Sequence, residues 1–522
     1  VTGTWRLVRL VLRRERVVLP AWVGLALLMI IGMVPYYDRR LPSAEARQAL
    51  VDEVVGNRVL LGFGGEIAGP DIGSLVAWKI GDPVYSLVGV FVLLMVVRHT
   101  RAEEDEGRAE LLGAGVVGRH AQLTATVLVT VAACLAVGVL SALGMVALGV
   151  EPVGTVAFGL CVVAPGVVFA AVAALAAQLA GNARSASVLA AGVLGAGYVV
   201  RFVADASGEG WLRWFSPQGW SHLVDPYGER AWAVFVVPTV VAGLVLATAY
   251  ALNGRRDLGV GVLRARQRTS KPVRGPLALA WRLHRGLLAG WSLGFVAVGL
   301  LLGGVASDVP DLAERAGDTV KEFFARYSDS PSATLGDAFL WLIVLTMGYT
   351  AALYPVLATL RLRAEESSGR AEALLATEVS RVHWAASHLV FSVLGSAVVL
   401  GAGGVAAGLA SGRVGALVEG ALVQLPAVWI VAGVAALAVG VLPRQAAAIG
   451  WSTWVFVNVF GEIVGPAMGI DYWVADLVVP FHHLPKVLSG GALELAPLLL
   501  MTGLAAALIG AGLVGLRRRD LG

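Results

Sequence analysis

The sequence predicts an all-α polytopic membrane protein, with twelve transmembrane helices arranged as two parallel six-helix repeats. Three observations carry this. Of 522 residues, 57% are hydrophobic and 15% charged, and the mean hydropathy is +0.77, far from the balance of a soluble domain. Apolar runs recur at lengths that cross a bilayer, because about 20 residues at 1.5 Å rise traverse a hydrocarbon core of roughly 30 Å. The same short polar motifs also punctuate those runs twice, in the same order.

Taken in order, spans are expected near residues 17–36, 83–100, 122–148, 154–180, 186–204 and 231–252, then near 288–306, 337–359, 384–409, 416–441, 447–466 and 495–516. The first run follows a basic segment and ends in VPYYDRR, without a small-residue cleavage site, so it is expected to remain as a span. Cys134 and Cys161 fall inside apolar runs, where neither a disulfide nor a metal spacing is expected.

The repeat rests on four anchors. RxxRxxxxxW occurs as Arg13, Arg16 and Trp22, and again as Arg282, Arg285 and Trp291. RAEEDEGRAELL, from Arg101 to Leu112, returns as RAEESSGRAEALL from Arg363 to Leu375. Arg119 and Arg381 follow these segments, and RRDLG closes each half as Arg255 to Gly259 and Arg518 to Gly522. Four anchors in one order mark a duplication. It divides the chain into a first half (1–259), a linker (260–275) and a second half (276–522), each expected to carry a basic amphipathic helix and six spans. An even number of spans leaves both halves in the same orientation. With a cytoplasmic N-terminus, inner segments hold roughly 27 basic residues against about 12 acidic, and outer segments roughly 13 against about 24. That excess of Lys and Arg places both termini and both RAEE segments in the cytoplasm, with the chain in the cell membrane.

Glu104 with Arg108, and Glu366 with Arg370, stand i, i+4 with the acid first, which extends a helix beyond the bilayer. Gly107 and Gly369 then permit a turn. Residues 109–117 and 371–379 suit short helices with an acid near the start, Glu110 and Glu372. One copy would read equally as a charged topological loop; the second, at the equivalent place, favours docking to a cytoplasmic partner. Arg6, Arg9, Arg13, Arg16 and the linker from Arg264 to Arg274 would attract anionic lipid headgroups, at about 1 kcal/mol per residue. No GxxxxGK[ST] loop exists: Lys79, Lys271, Lys321 and Lys486 are each followed by something other than Ser or Thr. Any ATP must be handled by another polypeptide.

Ionisable and aromatic residues within spans come next, because a charge at membrane depth is costly and faces protein or water. Trp451, Trp454, Asn458 and Glu462 share one helix face at i, i+3, i+7 and i+11. The matching span of the first half carries Tyr198, aligned with Asn458, and Arg201 near its outer end. A pairing of Arg201 with Glu462 as an outer gate is one expectation; packing and an interfacial aromatic belt is the other. Glu419 reads as outer-interface, and His222, His482 and His483 as external helix residues without metal-ligand spacing.

The RAEExxGRAE segments, the RRDLG ends and the basic helices before Trp22 and Trp291 resemble the membrane subunits of type-2 ATP-binding-cassette (ABC) exporters. They resemble especially the fused two-half permeases of the actinobacterial polyketide-antibiotic and multidrug export kind, over nearly the whole chain. The resemblance implies that Glu103, Glu104, Gly107, Arg108 and Glu110 form one ATPase-coupling element, and Glu365, Glu366, Gly369, Arg370 and Glu372 the other. It implies two copies of a cytoplasmic ATPase carrying ATP and Mg, no cofactor in this chain, and no nucleic-acid partner. It places the segments near 37–82, 205–230, 307–336 and 467–494 outside. It also assigns the second and fifth spans of each half to the substrate path, making Tyr198, Arg201, Trp451, Trp454, Asn458 and Glu462 candidates for contact with an amphipathic small molecule. The copies differ at Asp105 and Glu106, replaced by Ser367 and Ser368. A proton-coupled secondary transporter of the major facilitator kind is the alternative; its corresponding loop is basic, and no carboxylate relay stands out in the sequence. A transferase acting on lipid-linked donors would need clustered acids or histidines, which the sequence leaves scattered.

Overall fold

The structure, a computed structural model, describes residues 2–56, 58–113, 115, 117–256, 261–262, 275–306, 334–459 and 478–519. It forms two compact units, Val1–Arg268 and Thr269–Gly522. Among the described residues, eleven helices are long and apolar enough to cross a membrane, six in the first unit and five in the second. The chain is therefore a multi-pass membrane protein. The expected eleventh span begins as the helix Ala446–Val459, and residues 460–466 lie outside the described residues.

The first unit opens with α1 (Thr4–Arg14), whose Leu7, Val8 and Val11 are buried, and α2 (Val18–Arg40). Next come α3 (Ala44–Val55), capped by Ser43 accepting from the Ala46 amide at 3.1 Å, and α4 (Arg58–Gly64). The second span, α5 (Ile72–Arg98), starts eleven residues earlier than expected. Asp71 caps the helix through the Ser74 amide at 2.9 Å, and Asp82 within it is paired with Arg201 rather than solvated. Short helices α6 (Arg101–Asp105) and α7 (Arg108–Gly113) follow, then α8 (Ala121–Ala147), α9 (Pro152–Leu179), α10 (Ala183–Ser207), α11 (Pro217–Val224) and α12 (Val236–Arg255). The alanine-rich α9 packs against α5, α8, α10 and α12, burying Phe158, Cys161 and Phe169. Cys134 and Cys161 are both free thiols.

The second unit comprises α13 (Pro276–Ala306), α14 (Leu335–Ala351), α15 (Leu353–Ser367), α16 (Arg370–Leu375), α17 (Arg381–Ser411), α18 (Val414–Val423), α19 (Leu425–Val441), α20 (Ala446–Val459) and α21 (Leu495–Arg518). Here α19 packs against α15, α17, α20 and α21. On α13, Gly303 faces α17 so closely that a Cβ would stand 2.2 Å from the Ala407 carbonyl oxygen, the small-residue contact by which membrane helices approach.

Among the described residues, the second unit has no separate amphipathic helix before its first span, contrary to expectation. In the first unit the chain breaks at Glu15–Val17 because Pro20 lacks an amide hydrogen and its ring would collide with the carbonyl four residues back; the first turn of a new helix tolerates it. The equivalent residue is Ala289, so α13 runs through unbroken. At the first break, buried Glu15 meets His99 at 2.6 Å and Arg98 at 3.0 Å. At the corresponding place on α13, His284 meets His388 at 2.9 Å. Ala289→Pro should therefore cut α13 and cost about 3 kcal/mol. A melting temperature unchanged from the parent would show that the helix is not continuous there.

Candidate functional site

Each unit places a short helix just after its second span by the same local chemistry. Gly107 and Gly369 both adopt φ +71°, the left-handed conformation that other residues enter at a cost, and a Cβ would meet nothing nearby. The chain therefore turns sharply at both, ending α6 and α15 and starting α7 and α16.

A bidentate ion pair braces each turn. Arg108 donates Nε and Nη2 to the two oxygens of Glu103 at 2.9 and 2.8 Å, and Arg370 donates to Glu365 at 2.8 and 3.2 Å. This differs from the expected i, i+4 pairing of Glu104 with Arg108. The positive-φ glycine reverses the chain, so Arg108 meets the acid five residues back instead of four. Hydrogen bonding to Glu103 raises the already high pKa of Arg108, and Glu365 does the same for Arg370. Both braces stay ionised throughout the physiological range. Glu103 also accepts from Arg14 at 2.9 Å, which ties α1 to the turn.

Glu104 and Glu366 have a different partner, one that sequence spacing did not reveal. Arg256, following α12, grips Glu104 through both terminal nitrogens, with Nη1 at 2.7 Å. Arg519, following α21, grips Glu366 at 2.6 and 2.7 Å. The second arginine of each RRDLG motif is thus a clamp on the RAEE segment. Arg119 and Arg381 complete the arrangement by donating to the backbone carbonyls of those clamping arginines, Arg256 at 2.6 Å and Arg519 at 2.7 Å. In the first unit the clamp spreads further: Arg256 reaches Gln178 at 2.6 Å, Arg101 reaches the Gly181 carbonyl at 2.7 Å, and Asp105 accepts from the Ala183 amide at 2.6 Å. Glu110, Leu111 and Glu372 remain exposed on the short helices. They are free to meet another molecule, whereas Glu103, Glu104, Glu365 and Glu366 face their own unit.

At the opposite end of the first unit's spans sits a buried ionic cluster. Arg201 on α10 is fully buried and meets Asp82 of α5 at 2.9 Å, Asp205 at 3.3 Å and the Gly62 carbonyl at 2.7 Å. His222 on α11 lies between the two acids, with Nε2 3.0 Å from Asp82 and Nδ1 3.3 Å from Asp205. Arg213 closes the far side on Asp205 at 2.6 Å.

The sequence profile described as multidrug efflux system permease Rv1217c, C-terminal domain, matches residues 80–252 and 273–517. The chain is also 39% identical, over 538 residues, to the multidrug efflux system permease protein Rv1217c of Mycobacterium tuberculosis, covering 100% of this chain and 95% of the relative. The chain belongs to the Rv1217c permease family.

For a member of the Rv1217c family, the candidate path residues fall into two groups. Tyr198 stacks on the Arg201 guanidinium at 4.7 Å, and Arg201 is spent on Asp82 and Asp205. Arg201 thus finds two acids, Asp82 and Asp205, inside the first unit; Glu462, its expected partner in an outer gate, lies outside the described residues. On α20, Trp454 and Asn458 both donate to the Tyr349 carbonyl, at 3.0 and 3.4 Å, pinning that helix to α14. Trp451 packs edge-on against Trp454 and is 43% exposed, so it alone of this stripe's described residues offers an open aromatic surface. Sequence reasoning passed over Asp82 and Asp205 and read His222 only as an external helix residue, because the three lie on three different helices. An acid beside a proline in an apolar run was the available signal for Asp82. Asp257 and Asp520 of the RRDLG motifs lie outside the described residues.

Proposed function

We propose that this chain is the permease of an ATP-driven efflux system. It is built from two parallel six-span halves of the type-2 ABC kind, with cytoplasmic termini and two copies of a separate cytoplasmic ATPase subunit. The supporting observation is the twice-repeated assembly of a left-handed glycine, a Glu–Arg brace and a clamping arginine that presents α7 and α16. Exposed Glu110, Leu111 and Glu372 are the groups such a subunit would press on. ATP and Mg belong to that partner, and this chain supplies two states whose relative stability the partner changes. The cargo is an amphipathic small molecule, drug-like or lipid-like, in keeping with the multidrug description of the M. tuberculosis relative and with the open face of Trp451.

Affinity purification of the full chain from its native membrane tests this directly: a P-loop ATPase should co-purify at two copies per chain. Charge reversal at both docking helices, Glu110→Lys with Glu372→Lys, should lower transport at least about tenfold, equivalent to about 1.4 kcal/mol, while leaving thermal stability unchanged. Parental transport by that double variant would remove α7 and α16 as coupling elements.

One observation favours a second reading, in which a proton gradient drives transport. Asp82, Asp205 and His222 form the type of buried titratable set that proton-coupled carriers use. Vesicles containing this chain alone would then pump under an imposed pH gradient, and Asp82→Asn would abolish that activity.

A further inference from the structure

A slot of about 400 Å³ opens beside α1. Trp5 and Leu12 of α1, Val23 of α2, and Leu128, Ala132 and Ala136 of α8 wall it, and each residue lining it is apolar. From Leu128 to Ala136 the slot follows about 12 Å of helix axis. It therefore extends from the level of α1 into the hydrocarbon-spanning part of α8. Trp5 and Leu12 are 74% and 44% exposed, which leaves the slot open on that side.

Beside this open edge runs a stripe of charge. Arg6, Arg9 and Arg13 each lie on α1 at or near one step from the residues forming the edge, and Arg16 follows in the turn before α2. All four are exposed, and none has an ion-pair partner among the described residues. Arg14, on the inward side of the same helix, does find its carboxylate in Glu103. One short helix thus separates a cation used within the protein from four that face outward. An apolar slot edged by unpaired guanidinium groups complements a molecule with a hydrocarbon tail and an anionic head. A soluble anion would leave the slot unused, and a zwitterionic lipid would gain less from the arginines, which bind phosphate oxygens bidentately.

We propose that the slot between α1 and α8 holds an acyl chain of an anionic phospholipid whose headgroup rests on Arg6, Arg9, Arg13 and Arg16. The lipid fills the space between the amphipathic helix and the third span, and fixes how α1, and through Arg14 the turn at Glu103, sits on the unit. The site belongs to the first unit, since Pro20 creates a free-standing α1 there and α13 has no such break. This inference is independent of what drives transport.

Photolabelling of the full chain in nanodiscs tests it. The probes are phosphatidylglycerol and phosphatidylcholine, each with a diazirine in the acyl chain, and the adducts are mapped by peptide mass spectrometry. The phosphatidylglycerol probe should label residues 5–23 and 128–136 at least about tenfold more than the phosphatidylcholine probe, a preference equivalent to about 1.4 kcal/mol. Replacing the four arginines by glutamine should bring that preference below about twofold. Ala132→Trp should block labelling of α8 by filling the slot; Ala132 is exposed, so the substitution leaves packing intact. Equal labelling by the two probes, labelling spread evenly over all membrane-facing helices, or a preference that survives the arginine replacements would each overturn the proposal.

Discussion

Arg201→Leu will lower the stability of the first unit by about 3–5 kcal/mol, the usual cost of leaving a buried charge without its partner. Arg201 is fully buried and is the only guanidinium within reach of Asp82 among the described residues. Its loss leaves Asp82 with the His222 imidazole alone, while Asp205 keeps Arg213 at 2.6 Å, and it also frees the Gly62 carbonyl, which accepts from Arg201 at 2.7 Å. Asp82→Leu combined with Arg201→Leu should recover most of the loss, because an apolar pair of similar volume replaces a buried ion pair at little or no cost. Thermal unfolding in detergent, read by the temperature at which monodisperse protein disappears, separates these variants. A single variant that melts with the parent would mean that solvent reaches the cluster and screens it.

Glu104→Ala and Arg256→Ala should each destabilise the first unit by about 3–5 kcal/mol, and the double variant by much less than the sum. Both side chains are under a tenth exposed and bond bidentately, so each single change removes the other's bidentate partner and leaves it only a lesser contact, Arg101 at 2.9 Å for Glu104 and Gln178 at 2.6 Å for Arg256. The coupling in the double-mutant cycle should fall between about 0.5 and 3 kcal/mol. Glu366→Ala and Arg519→Ala should repeat the pattern in the second unit. Additive effects in both units would reduce the clamp to a surface contact. Loss of Glu104 or Glu366 should therefore act first on folding, so exposed Glu110 and Glu372 are the acids suited to probing docking alone.

The spans were legible in the sequence because hydrocarbon thickness leaves little freedom: most runs became helices within a few residues of their expected limits. The failures have local causes. The start of α5 was hidden by Lys79, Asp82 and Pro83, which look like a polar approach until Arg201, over a hundred residues away in sequence, is seen to neutralise Asp82. The continuity of α13 was hidden by the likeness of the two basic segments, although Pro20 against Ala289 held the difference. Gly107 and Gly369 were legible as turns, since nothing else takes φ +71° so readily. Their effect on pairing was not, because a periodicity argument assumes an unbroken helix and the turn moves the arginine by one register. The duplicated arginines of RRDLG were visible as a motif, but their role depends on two chain ends meeting at one carboxylate.

The clamp at Glu104 also has a mechanical meaning. A load applied to α7 does not bend a loop; it reaches the far end of α12 through Arg256, the end of α9 through Gln178 and the start of α10 through Asp105. Three helices are struck by one lever. In the second unit Ser367 and Ser368 stand where Asp105 and Glu106 stand in the first, and their hydroxyls turn back onto the Ala364 carbonyl. That lever has lost the arm that Asp105 extends to α10, so equal pushes on the two short helices would deliver unequal strokes.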